Sequence, residues 1–169
     1  GIDYSVPVFK NKIYIPKSLK ANSYAYGIDL TKMNNEPNDT HGHGTHIAGI
    51  ILSLFPSAKI LPIKYYDPAL SALKNSENFA KAIEIAVHSG VDIINISGGG
   101  NEFLIKEKKS LQIAKQKNIL VVSAAGNDQN EINPKYPETQ YYPASYGFDN
   151  NIVVMALDKD GRSKLESSN

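Results

Sequence analysis

The chain has 169 residues, 41% of them hydrophobic and 21% charged, which suits one soluble domain with a sizeable core. Its 18 basic and 17 acidic side chains leave a net charge of +1, so composition points neither to a nucleic-acid surface nor to an acidic tail. Without cysteine there is no disulfide framework and no thiolate chemistry, and no apolar run approaches the roughly 18 residues of a membrane span.

Residues 1–42 read as mostly surface loop. Short extended pieces such as residues 12–15 alternate with Pro7, Pro16, Asn34, Asn35 and Pro37, which punctuate turns. Then comes Asp39-Thr-His-Gly-His-Gly-Thr-His-Ile-Ala-Gly49, with three histidines and three glycines. Loop glycines let the backbone approach another surface closely, and a histidine there can be held at a site. The spacing predicts a helix over 43–54, with Ile47, Ile50, Ile51 and Leu54 on one face and Pro56 as its stop. Residues 58–65 read as a strand.

A second helix is predicted over 75–89, with Ser76 as N-cap, Phe79, Ile83 and Val87 in one stripe, and Gly90 as terminator. Residues 91–97 are dense in β-branched side chains and apolar on both faces, as in a parallel strand buried on both sides. Gly98, Gly99 and Gly100 end it. A helix over 102–117 follows, with Leu104, Leu111 and Ala114 inward. A further buried strand over 119–125 runs into Gly126 and Asn127. A polar stretch with Pro134, Pro137 and Pro143 leads to a last strand over 152–157, and residues 158–169 trail off as a polar tail. Strands alternating with helices predict an α/β fold, a three-layer sandwich with a mostly parallel twisted sheet flanked by helices. Ligands in such folds bind beyond the carboxyl ends of strands, where the two glycine-bearing ends fall.

Three stretches together resemble the subtilisin-like serine proteases, in the right order along nearly the whole chain. His43-Gly-Thr-His-Ile-Ala-Gly49 is similar to the family's histidine motif, HGTHxAG. Ile94-Asn-Ile-Ser97-Gly-Gly-Gly resembles its substrate-binding strand, and Ala124-Ala-Gly126-Asn127 its oxyanion segment. Tyr142-Pro-Ala and the strand that follows fit the same order, and Gly1-Ile2-Asp3 resembles the tail of its D-[ST]-G-I-D motif. The resemblance implies that His43 is the general base and Asn127 the side-chain donor to the oxyanion. It implies that Ser97, Gly98 and Gly99 pair with an extended polypeptide substrate. It also implies that Ala125 and Gly126 wall the pocket for the side chain before the scissile bond.

Two members of the triad are not in the sequence. The acid would stand two residues before Gly1, and the nucleophile motif G-T-S-x-A does not occur. The chain also begins at Gly1 rather than Met, with no visible signal peptide. It is therefore expected to be the middle of a longer protease domain, incomplete at both ends. Alone it is expected to be inactive, and marginally stable for want of a central strand upstream. The resemblance favours secretion, although the residues themselves fit an exported and a cytosolic protein alike. No cofactor is required. The link Phe55-Pro-Ser57 is too short for the calcium loop many relatives insert there, so a structural calcium stays open with no residues assigned to it. A monomer is expected, with no nucleic-acid partner.

Blander readings stand beside these. His41, His43 and His46 lack the spacing of two ligands on one helical face, so a metal site is the weaker alternative. His46 reads as a buried residue or one supporting the site from behind, His41 as a solvated loop residue and His88 as structural. Asp39 reads equally as an organiser of the histidine loop and as a plain turn or cap residue, Asp92 and Asp128 as solvated acids, and Tyr141 and Tyr142 as packing. Two other functions stay in view. One is a non-catalytic peptide-binding relative. The other is a nucleotide-binding domain using Gly98, Gly99 and Gly100, for which neither G-x-G-x-x-G nor G-x-x-x-x-G-K-[ST] is present.

Overall fold

The structure is a computed structural model and describes residues 1–20 and 26–169. The part of the N-terminal loop expectation that falls on 21–25 lies outside the described residues. The chain divides into two compact units, Gly1–Gly90 and Val91–Asn169.

The first unit holds helices α1 (Lys17–Lys20), α2 (His43–Leu54) and α3 (Ala72–His88) and strands β1 (Ile28–Asp29) and β2 (Ile63–Lys64). β1 and β2 pair in parallel, Ile28 with Ile63 and Asp29 with Lys64. The strand expected over 58–65 is thus short. Pro62 lacks an N–H for the ladder and contributes only its carbonyl, to the N–H of Ile28 at 3.0 Å. Upstream, Ile60 forms an isolated parallel bridge with Ile13 inside the predicted 12–15 piece.

Helix α2 has the predicted bounds, but a different face is buried. Ala48 and Leu52 pack in a cluster with Ile2 and Phe9. Ile50 and Leu54 lie about 200° away at 100° per residue, and Leu54 is 82% exposed. The small side chain of Ala48 gives the N-terminal segment somewhere to dock, and the isoleucine stripe is left outward. Helix α3 starts earlier than predicted because Ser71, not Ser76, is its N-cap: Ser71 Oγ accepts from Lys74 N–H at 3.2 Å. Asn75 is instead used sideways. Its carboxamide accepts from Asp67 N–H at 3.0 Å and donates to Asp67 O at 2.9 Å, pinning the loop before the helix.

The second unit is a three-stranded parallel sheet in the order β3 (Ile93–Ile96), β4 (Leu120–Ala124), β5 (Asn151–Val154), with α4 (Ile105–Gln116) as the crossover from β3 to β4. The register runs from Ile93 opposite Leu120 to Ile96 opposite Ser123. Ile94, Ile96, Val121, Leu111 and Ala114 are buried. The expectation of burial on both faces is corrected here. β3 alternates, with Ile93 55% exposed and Asn95 exposed while Ile94 and Ile96 are buried, and β5 exposes Ile152, Val153 and Val154. α4 starts later than predicted, and Leu104 is its N-cap rather than an inward residue. The Tyr146 hydroxyl takes both backbone groups of Leu104, accepting from its N–H at 3.2 Å and donating to its carbonyl at 3.1 Å. The C-terminal residues do not trail off, for Ser168 and Asn169 are buried. Among the described residues no helix is long and apolar enough to cross a membrane.

Candidate active site

In the first unit the site is built on one carboxylate. Asp39 Oδ1 accepts the N–H groups of His41 and Gly42, both at 2.9 Å. Its Oδ2 accepts Thr45 N–H at 2.9 Å and Thr45 Oγ1 at 2.6 Å. Gly42, at the N-cap of α2, has no side chain to offer, so Asp39 caps the first turn from three residues upstream, where an anion is favoured by the helix dipole. Burial alone would raise its pKa, but the bonds from Thr45, Gly42 and His41 outweigh that and hold the carboxyl well below the usual range. Both readings of Asp39 meet in this geometry: the carboxylate that caps the first turn of α2 also holds the loop of His41 and Gly42.

His43 is the first residue of α2 and is exposed. Its ring stands edge-on to His41, centroids 6.4 Å apart. Thr45 Oγ1, already donating to Asp39, also accepts the N–H of Asp3 at 2.9 Å. A Cβ on Gly44 would collide with the carbonyl oxygen of Gly1. Glycine is required there because the N-terminal segment crosses the head of α2 beside His43. His46 is exposed, which overturns the buried half of its expectation, since it aligns with Ile50 and Leu54 on the face away from Ala48. His88 bonds through Nδ1 with Glu84 O at 2.7 Å, on the surface.

In the second unit the site lies at the carboxyl ends of β3 and β4. Ser97 Oγ accepts from the Asn95 carboxamide at 2.9 Å. Gly98 is half-buried and Gly99 exposed. After β4 the chain passes through buried Ala125 and Gly126, the latter at φ 106°, and presents Asn127 to solvent. The structure thus brings Gly99, Ala125, Gly126 and Asn127 to one sheet end, with His43 in the other unit.

Two residues that the sequence reading gave no site role also belong here. Asn169 Oδ1 accepts Asp128 N–H at 2.7 Å and Asn130 N–H at 3.2 Å, and its Nδ2 donates to Ala125 O at 3.0 Å. Its own N–H donates to Gly126 O at 3.1 Å. The loop carrying Asn127 is therefore held on both sides by one carboxamide. The ring of Tyr141 lies against both Gly99 and Gly126. Tyr142, as expected, packs, with ring centroids 5.6 Å from Phe103 and 4.6 Å from Tyr146.

Parallel sheets flanked by helices, with a histidine at a helix head, are the frame of a subtilisin-like protease domain. A model of the subtilase family matches residues 1–169, and the chain belongs to that family. The cell wall-associated protease of Bacillus subtilis (strain 168) is 36% identical over 141 residues, covering 77% of this chain and 15% of that protein. The major intracellular serine protease of the same organism is 29% identical, over 100% of this chain and 52% of its own length. Among solved structures, a lanthipeptide protease shares the fold with a TM-score of 0.79 at 24% identity, covering 99% of this chain and 49% of that one. The chain thus spans about half or less of each of these proteins.

Proposed function

We propose that this chain is the central part of a serine endopeptidase domain. His43 is its general base and Asn127 its oxyanion donor. The observation that carries the reading is the presentation of His43: an exposed imidazole at the head of α2, on a loop fixed by the four hydrogen bonds to Asp39. A general base must be oriented by groups that are themselves held.

In this reading an extended peptide pairs with the edge at Ser97, Gly98 and Gly99. A serine hydroxyl from a segment beyond Asn169 gives its proton to His43 as its oxygen attacks the scissile carbonyl carbon. The carbonyl π electrons become the oxyanion, which accepts from the Asn127 carboxamide. His43 then passes the proton to the leaving amine as the C–N bond breaks, and water hydrolyses the acyl-enzyme by the same relay in reverse. The acid that orients His43 comes from the segment before Gly1, and the backbone of Gly1 itself lies against Gly44. Residues 1–169 alone hold the base and the donor but no nucleophile motif, and turn over no peptide.

The test is peptide hydrolysis by the full-length protein and by its His43→Ala variant. The reading expects hydrolysis in the first and a loss of at least about a thousandfold in the second, since triad members act as a unit. Peptide binding without cleavage by the full-length protein would instead make it a non-catalytic relative.

A further inference from the structure

Past the last register pair, Ile96 with Ser123, β3 and β4 separate. The first chain leaves to pair antiparallel at Gly100, where Gly100 N–H donates to Tyr142 O at 3.0 Å and Tyr142 N–H to Gly100 O at 2.7 Å. The second turns at Gly126. Crevices form where neighbouring parallel strands diverge at their carboxyl ends. This one is occupied by the Tyr141 ring. A Cβ on Gly99 would stand 2.6 Å from Tyr141 Cε1, and one on Gly126 would stand 2.9 Å from both its Cγ and Cδ2. Carbon atoms pack at about 3.5–4.0 Å, so the ring shares the space a side chain would need at either glycine, with the Tyr142 carbonyl oxygen at Gly99 and the Asn169 carboxamide at Gly126. It spans the gap from one wall to the other.

The backbone that carries the ring is also fixed. Tyr141 N–H donates to Ser145 Oγ at 3.0 Å, and its carbonyl accepts Ser145 N–H at 2.8 Å. The next residue is locked to Gly100, and the Asn169 carboxamide backs Gly126 from another side. Moving the Tyr141 backbone away breaks these bonds.

We propose that Tyr141 is a specificity-determining residue whose ring fills the pocket between residues 97–99 and 125–127, limiting the side chain before the scissile bond to glycine, alanine or serine. The inference rests on the reading of those two segments as the substrate crevice. A large apolar side chain finds its apolar surface already covered by the ring and has no volume to enter. A methyl or hydroxymethyl group needs only the shallow space above it.

The experiment uses the full-length protein and quenched peptides that differ only in that residue, alanine against leucine and phenylalanine. The expected ratio of kcat/KM, alanine over phenylalanine, is above tenfold. Tyr141→Ala lowers this ratio at least tenfold, whereas Tyr141→Phe, which keeps the ring, retains it. A ratio does not depend on the fraction of folded enzyme, and Tyr141→Leu serves as a second variant should the alanine form fold poorly. Equal or faster cleavage after phenylalanine by the unaltered protein, or an unchanged ratio in both ringless variants, overturns the proposal. Failure to cleave any peptide sinks the protease reading instead. The pocket is then read by equilibrium binding of the same peptides, where absence of a preference for alanine, or a preference that Tyr141→Ala leaves in place, overturns the role of the ring.

Discussion

Asn169 Oδ1 accepts the Asp128 N–H at 2.7 Å, tying the residue after Asn127 to a side chain 41 positions further along the chain. The same carboxamide reaches Asn130 N–H and Ala125 O, so it braces both limbs of the loop. If Asn127 is the oxyanion donor, Asn169 is a positioning residue: it touches the loop and would act through Asn127. Replacement by alanine removes three side-chain hydrogen bonds in a buried setting. At about 1 kcal/mol each, the expected loss is about 2–3 kcal/mol by denaturant unfolding of the full-length protein. Because the loop shifts, kcat should fall more than KM rises. A stability loss with kcat unchanged would leave Asn169 a purely structural residue.

Asn127 is exposed on that braced loop. Asn127→Ala is expected to lower kcat by about a hundred- to a thousandfold with little change in KM, a loss whose size is known from subtilisin, a member of this same family. Unchanged kcat would remove Asn127 from the oxyanion role.

Asp39→Asn places an amide against Thr45 N–H and Thr45 Oγ1, where an acceptor is needed. It is expected to cost about 1–2 kcal/mol, the usual worth of a helix cap. The pH dependence follows from the direction of its shift. The folded pKa is lowered from 3.8, so the stabilisation is present above that value and is lost as pH falls below it. Acid unfolding of the native protein should therefore steepen below about pH 4, and the asparagine variant should lack that component. Identical acid limbs would contradict it.

Glu107 is an acid buried in α4, 8% exposed. Burial pushes its pKa up to about 7 from 4.5, with the bond from Tyr146 acting the other way. A raised folded pKa favours the folded state most below 4.5, and the advantage fades as pH rises to about 7. The native protein should lose up to about 3 kcal/mol between pH 4.5 and 7 on this account. Glu107→Gln, neutral at every pH, should be more stable than the native protein at pH 8 by urea unfolding and should flatten that decline. A glutamine variant less stable at pH 8 would show that the charged form is welcome there.

Much of this was legible in the sequence, for local reasons. The bounds of α2, the parallel strands and the order of the motifs follow from apolar spacing and from glycines at strand ends. Those signals act within a few residues. What was missed depends on tertiary partners. Leu104 was expected inside its helix, but Tyr146, 42 residues away, takes its backbone groups. Ile50 and Leu54 look like a core face, yet Ile2 and Phe9 dock on Ala48 and Leu52 instead. The 158–169 stretch is polar throughout, so nothing in its composition announces that Asn169 is buried. Asp39 carried a readable signal in its position three residues before the N-cap of α2 and six before Thr45, where a carboxylate can fold back onto the first turn.

The central claim is that His43 activates a serine. Labelling of the full-length protein with a serine-directed fluorophosphonate, followed by peptide mapping, addresses it most directly. The account predicts one modified serine, in a segment beyond Asn169, and at least a hundredfold slower labelling in His43→Ala. No modified serine, or labelling at the same rate without the His43 imidazole, would contradict it.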